Sequence, residues 1–342
     1  MSSVTSRTPN INSFWMAPLA AALAYPGILV LFAGTVAAYR ESGGSFTQLA
    51  CSLTLMAAAV SIPVIAVWGL DKIRDSTDPK APATRAVLYF VFAVFPLFGL
   101  DFAVTRLFRV WHWHMQIWWI TLVAIGGIVY AYRPRQKNVS PGEPVNPWLR
   151  KLHGATAMLL LLGYLIPHLV NHGTALWSIE FNAAVMELFR NWYRSALVEP
   201  VLIAMLGAMV VTGLHMVIRY SRECGDRFRV LQTATGTYLA VFICSHLTAV
   251  LSARAAGVET DWYFAIGPTG QILDTAAFLI PYYIAGVFFL LVHVSLGLRQ
   301  ILLAHSAGKR SANRTFFALT VGATLITLLI TAAMFGVHLG DL

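Results

Sequence analysis

Long apolar runs separated by short polar or basic stretches recur along the whole chain. Crossing a hydrocarbon core of ~30 Å takes about 20 residues of helix. About nine runs reach that length: 16–39, 46–69, 86–105, 110–132, 151–172, 197–219, 231–253, 276–300 and 315–338. The pattern predicts an all-α, polytopic membrane protein with about nine transmembrane helices. No soluble domain fits between the runs. The longest connections are 173–196, 254–275 and 133–150, "RPRQKNVSPGEPVNPWLR". Proline and polar residues make the last a linker that divides four spans from five. The expected divisions are an N-terminal four-span region over 1–145, a four-helix bundle over 146–302 and a final helix over 303–342. The first run begins near Met16 at full spanning length, without the small-residue cleavage site of a signal peptide.

Composition agrees with a lipid environment. Of 342 residues 58% are hydrophobic and 11% charged, against about 25% charged in soluble domains. Mean hydropathy is +0.68 and the sequence pI is 9.7. The net charge of +9 raises the question of nucleic acid, but topology accounts for it without a nucleic-acid partner. Alternate connections carry 18 of the 24 Lys and Arg residues, and the opposite side carries 6. Cytoplasmic loops retain basic residues, so the N-terminus is expected in the cytoplasm and the C-terminus outside, in a bacterial-type inner membrane. Cys51, Cys224 and Cys244 form neither a C-x-x-C pair nor a zinc spacing and read as packing residues.

The stretch "LAVFICSHLTAVL", Leu239 to Leu251, places His246 in the middle of an apolar helix. Three more histidines lie inside neighbouring spans: His168, His215 and His293. An ionisable group at that depth costs a few kcal/mol unless paired, and marks a functional site by default. His168 and His246 each follow a cytoplasmic basic residue by 17 positions, Lys151 and Arg229. At 1.5 Å per residue both lie roughly 25 Å in, towards the outer face. His215 precedes Arg219 by four residues and His293 precedes Arg299 by six, so both lie ~6–9 Å from the inner rim. The four imidazoles are therefore expected in two layers, two to a layer. The spacings His168–His246 and His215–His293 are both 78 residues, which suggests a duplicated two-helix unit. A bare metal ion usually takes three or four ligands, whereas haem iron needs only two axial ones. Two imidazoles at one depth, twice over, therefore point to two haem b groups in a bundle core.

The segments "HGATAMLLLLGYLIPHL" and "TGTYLAVFICSHL" resemble ligand-bearing helices of the di-haem cytochrome b subunit of succinate dehydrogenases and fumarate reductases, and "GLHMVIR" and "VHVSLGLRQ" look like two others of that family. The resemblance covers about 150–302. It implies that His168 pairs with His246, and His215 with His293, as iron axial ligands. That family has a histidine-free helix between its second and third ligand helices, and lacks a four-span N-terminal extension. Cytochromes b561, with one histidine on each of four consecutive helices, are a second resemblance.

Haem carboxylates seek cationic partners near the interface. Arg219 and Arg299 are candidates for the inner group, and Arg190, Arg194 and Arg254 for the outer one. Gly163, Gly207, Gly213, Gly236 and Gly286 would let a flat ring approach backbone, or serve close helix packing. His153, beside Arg150 and Lys151, reads as interfacial, or as a contact for a quinone or a carboxylate. His172, one turn beyond His168, is a rival ligand. "RVWHWHMQIWW" at 109–119 reads as an interfacial aromatic belt rather than a metal site, because His112 and His114 point to different sides of a helix. Asp101 is a lone acid near the outer interface, and His305 and His338 suggest no chemistry.

These residues lead to a membrane-bound di-haem b-type cytochrome carrying electrons across the bilayer or to and from quinone. It carries no flavin or iron–sulfur signature, so an oxidoreductase role needs a redox partner on the cytoplasmic face, or quinol alone. The alternatives are a haem-based redox-sensing anchor that reports to a signalling partner, and a haem-free transporter with proton-relay histidines.

Overall fold

The computed structural model describes residues 11–131 and 145–341, and every regular element among them is helical. In chain order these are α1 (Ile11–Glu41), α2 (Phe46–Ile73), α3 (Ala81–Phe92), α4 (Val94–Leu107) and α5 (His114–Ala131). After the linker, only 145–150 of which is described, comes α6 (Pro147–Leu160). A π-turn at Leu161–Leu165 joins it to α7 (Ile166–Thr174). Then come α8 (Ile179–Tyr193), α9 (Val198–Tyr220), α10 (Arg227–Ala255), α11 (Trp262–Ile266), α12 (Ile272–Thr275), α13 (Ile280–Ala304) and α14 (Lys309–Met334). Among the described residues 8 helical segments are long and apolar enough to cross a membrane, or 9 if the bent pair α3–α4 counts as one.

Local chemistry sets several of these boundaries. The Asn146 side chain accepts the Trp148 N–H at 2.9 Å, with Pro147 in the first turn of α6. Asp226 caps α10 through the Arg229 N–H at 2.8 Å. Ser178 and Asp261 cap α8 and α11 in the same way.

The third predicted span is broken. α3 and α4 meet at 71° around Ala93. Pro96, in the first turn of α4, has no N–H to give to the Phe92 carbonyl one turn back, so the helix cannot run straight through. The pair still crosses from one end of the bundle to the other. Gly69 near the end of α2 lies beside the Phe14 carbonyl, so α2 returns to the end where α1 starts. Trp118 of α5 donates to the Ala22 carbonyl at 3.1 Å, and Gly126 lies against Leu19 and Trp15. α5 therefore runs opposite to α1 and starts away from the end where α3 began. The end at which α1 starts is the proximal end, and the other is the distal end.

Arg85 ties the proximal loops together. It is 2% exposed and donates to the carbonyls of Ile73 (3.3 Å), Ser76 (2.7 Å), Ser221 (3.0 Å) and Glu223 (3.2 Å). α10 forms the central post. It packs against α4, α9 and α13, and Tyr238 meets Phe92 and Phe289 at 6.1 and 4.8 Å between ring centres. The N-terminal spans thus form a wall against the helix that bears His246. Of the cysteines, Cys244 is half-buried; Cys51 and Cys224 are exposed, so the packing role expected of all three fits only Cys244.

α6 behaves differently. Only Leu160 of its 14 residues is buried, and it packs mainly on α9. α6–α7, α9, α10, α13 and the end of α14 form a ring, and the space inside is a cavity of about 1150 Å³. That exceeds the ~300–1,000 Å³ of ordinary ligand pockets.

Candidate functional site

Each wall of the cavity is a helical stripe with spacings of three and four. On α9 it runs through Met209, Gly213, Met216 and Tyr220; on α10 through Gly236, Leu239, Ile243 and His246; on α13 through Gly286, Leu290, His293 and Gly297. On α6–α7 it runs through His153, Ala157, Leu161, Tyr164 and His168, with the π-turn between the two histidines. An extra residue in a π-turn rotates the remainder of the helix by about 100°. Fifteen residues of plain α-helix would leave His168 about 60° ahead of His153; the turn leaves it about 40° behind, still on the cavity side.

Five histidines line the cavity: His153, His168, His172, His246 and His293. His215 does not. It lies two residues past Gly213, about 200° round α9, and is exposed on the helix's outer side. The expected pairing of His215 with His293 is not what the cavity presents: His153, not His215, lines it together with His293. The 78-residue spacing holds in sequence, but α9 does not present its histidine as α13 does. Only two residues past Lys151, His153 reads from sequence as interfacial. The signal that marks it is its place on the same stripe as Tyr164 and His168.

The proximal pair is held in one tautomer. Thr212 donates its hydroxyl proton to the Ala208 carbonyl at 2.6 Å, so its oxygen accepts from His153 Nδ1–H at 2.8 Å. Thr235 donates to the Leu231 carbonyl at 2.9 Å and accepts from His293 Nδ1–H at 3.0 Å. A threonine has one proton to give, so both imidazoles carry theirs on Nδ1 and keep the Nε2 lone pair. Fixing one ring nitrogen so that the other ligates is how proteins prepare metal-binding histidines. Thr212 and Thr235 each lie eight residues from the proximal end of their helix, which puts the pair at one level, about 12 Å in. Gly213 and Gly236 make room: a Cβ there would stand 3.6 Å from His153 Cε1 and 3.1 Å from His293 Cε1.

The distal layer is a cluster of three. His168 and His246 have ring centres 6.3 Å apart. Imidazoles on opposite sides of one metal, with bonds of ~2 Å, stand about 6 Å apart by ring centre. Tyr164 stacks on His168 (5.2 Å, 20°) and Phe242 on His246 (5.7 Å, 6°), each from one turn earlier on the same helix. His172 Nε2 hydrogen-bonds His168 Nε2 at 3.2 Å. His246 lies 11 residues beyond Thr235, and His168 lies 15 beyond His153. The layers are therefore about 16–22 Å apart along the helices.

Charge gathers at the two mouths. Arg150, Lys151 and Arg229 line the proximal one, Arg194 and Arg254 the distal one. Arg254 is paired with Glu199, and Arg194 donates to Thr260 Oγ1 at 2.7 Å. Burial, then the charges of Arg190 and Arg254, push the Arg194 guanidinium below its ordinary value. Such a crowded cation gains from an anionic partner. Arg190 itself is turned to Glu259 and the Thr260 carbonyl. Neither arginine expected at the inner group lines the cavity. Arg299 is 5% exposed, donates to Asn313 Oδ1 at 2.8 Å and lies over Phe228 at 3.6 Å; Arg219 also stands off the lining. Of the five glycines named from sequence, Gly213, Gly236 and Gly286 line the cavity, and Gly163 and Gly207 do not. His112 is exposed, and His114 is turned to the Trp111 carbonyl at 2.6 Å. Among the described residues no group of three or more His, Cys, Asp or Glu is arranged to hold a bare metal ion. No family model matches this chain, and neither a curated protein nor a solved structure matches it.

Proposed function

We propose that this protein is a membrane-bound di-haem b-type cytochrome. The proximal iron ligands are His153 and His293, and the distal ligands are His168 and His246. The observation that carries the reading is the proximal pair: two half-buried imidazoles, each with Nδ1 on the hydroxyl of a threonine whose own proton has a carbonyl to go to, line one cavity at one level. A proton-relay transporter has no need to lock both rings in the same form. The residues present suit a porphyrin in other ways. Glycines stand beside the ligands where a flat ring needs room, and cations stand at each mouth where its carboxylates need partners.

A bound haem supplies one-electron chemistry at each layer. The protein's part is to orient the four imidazoles, exclude water with apolar walls, and anchor carboxylates. On this reading Arg150, Lys151 and Arg229 act proximally, and Arg194 and Arg254 distally. Two layers in one bundle give electrons a path along α10 towards either face of the membrane. Electrons are exchanged with quinone, or with a separate redox partner at the proximal end, the end expected to be cytoplasmic. The test is a dithionite-reduced minus oxidised spectrum of the purified protein with haem quantitation. Two b-type haems per chain are expected, and a colourless, haem-free preparation refutes the proposal.

A further inference from the structure

The distal layer holds one imidazole more than an iron needs. His172 lies one turn beyond His168 on α7, and both are half-buried and line the cavity. Their Nε2 atoms are 3.2 Å apart, and their ring planes meet at 82°. Two imidazole nitrogens that hydrogen-bond to each other hold one N–H and one lone pair between them. The accepting ring carries its proton on Nδ1, the form that ligates through Nε2. Among the described residues nothing fixes which of the two rings that is, because neither Nδ1 has a partner. His153 and His293 differ, since each rests its Nδ1 on a threonine.

The backbone and the neighbours leave room for either ring to serve. α7 has only 9 residues and follows the π-turn, and Pro167 has no N–H to tie it back to that turn. A small rotation of α7 therefore does not break a full helical ladder. Tyr164 stacks on His168 at 20°, whereas Trp262 meets His172 at 45°, tilted rather than stacked. From this arrangement we infer that His168 and His172 are alternative ligands for one coordination position opposite His246. The distal layer can exchange its ligand, and the proximal layer cannot. Axial ligands set the potential of a haem iron. The two imidazoles differ in position and in plane, so exchange gives the distal centre two potentials where the proximal one has a single value. The inference rests on the cytochrome reading and adds a ligand to it.

The test compares His168→Leu, His172→Leu and the double variant, each purified in detergent. Haem-to-protein ratio, redox potentiometry and electron paramagnetic resonance are read on the same samples. His172→Leu is expected to keep both haems. His168→Leu is expected to keep both as well, with the distal potential and resonance signal moved and the proximal ones unmoved. His168→Gln, which keeps a polar group at the site, carries the same expectation. The double variant is expected to fall from about two haems to about one, with the proximal signal intact as the mark of a folded protein. Loss of the distal haem from His168→Leu and His168→Gln, with the proximal one kept, overturns the inference. So does its loss from His172→Leu, or its retention in the double variant. Retention in His168→Leu with an unmoved distal signal also overturns it, and gives the position to His172 alone. All of these outcomes leave a two-haem protein standing. A haem-free wild type overturns the cytochrome reading, and this inference falls with it.

Discussion

Replacing His153 with leucine separates the ligand set proposed from the cavity lining from the one the sequence suggests. The variant removes the Nε2 that the cavity presents at the proximal level, together with one hydrogen bond to Thr212. Thr212 keeps its bond to the Ala208 carbonyl at 2.6 Å, so no buried donor is stranded. The direct cost to folding is therefore a single hydrogen bond, about 1 kcal/mol, and leucine recovers part of it by filling the space. The protein should fold, insert and keep its distal haem. At metal sites, loss of a mere supporting hydrogen bond costs about 10–100-fold in affinity. Loss of a ligand nitrogen costs more, so the haem-to-protein ratio should fall from about two to about one, with one component missing from the reduced spectrum. Thr212→Val, which leaves the ligand and removes its acceptor, should weaken proximal haem retention by that same 10–100-fold. His215→Leu is the control. The residue is exposed and off the lining, and such substitutions usually stay within about 0.5 kcal/mol. Both haems should remain. Full haem content in His153→Leu with loss of one haem in His215→Leu would refute the cavity register of α9 and restore the sequence pairing.

Other expectations rest on close contacts. Gly286→Ala puts a Cβ 2.5 Å from the Phe242 ring, which stacks on His246. The ring must shift, at a cost of about 1–3 kcal/mol, and redox titration should find the distal potential moved and the proximal one unchanged. Arg85→Met keeps an apolar stem but strips four carbonyls of their donor; it should lower stability by about 3 kcal/mol, read as a lower thermal midpoint in detergent. Arg254→Gln leaves Glu199 without its cation at the distal mouth and should loosen the distal haem, seen as faster haem loss to a scavenger.

The fold was legible where one-dimensional rules suffice. Crossing lipid demands about 20 apolar helical residues, and eight of the nine runs read from the sequence correspond to unbroken segments that meet that demand. The ninth is bent at Ala93. Pro96 was visible, but a 71° turn depends on what α4 packs against, and Gly99 shows it pressed on Ser245 and Tyr282. Depth is likewise a count along the chain, and it put His168 with His246. Azimuth was the harder quantity. His215 and His153 both lie within a few turns of the proximal basic rim, and only rotation about their helices separates them. The 3–4 stripe through Met209, Gly213, Met216 and Tyr220 was written in the sequence. Lipid and cavity both accept apolar side chains, however, so polarity does not tell a helix which face turns inward.

The sequence by itself determined a multi-span helical chain with imidazoles at two depths, because spanning length and burial cost act on each helix alone. The tertiary structure decided which imidazoles meet. That choice rests on the rotation of α9, the π-turn before His168 and the threonines of neighbouring helices, and those depend on contacts between segments far apart in the chain.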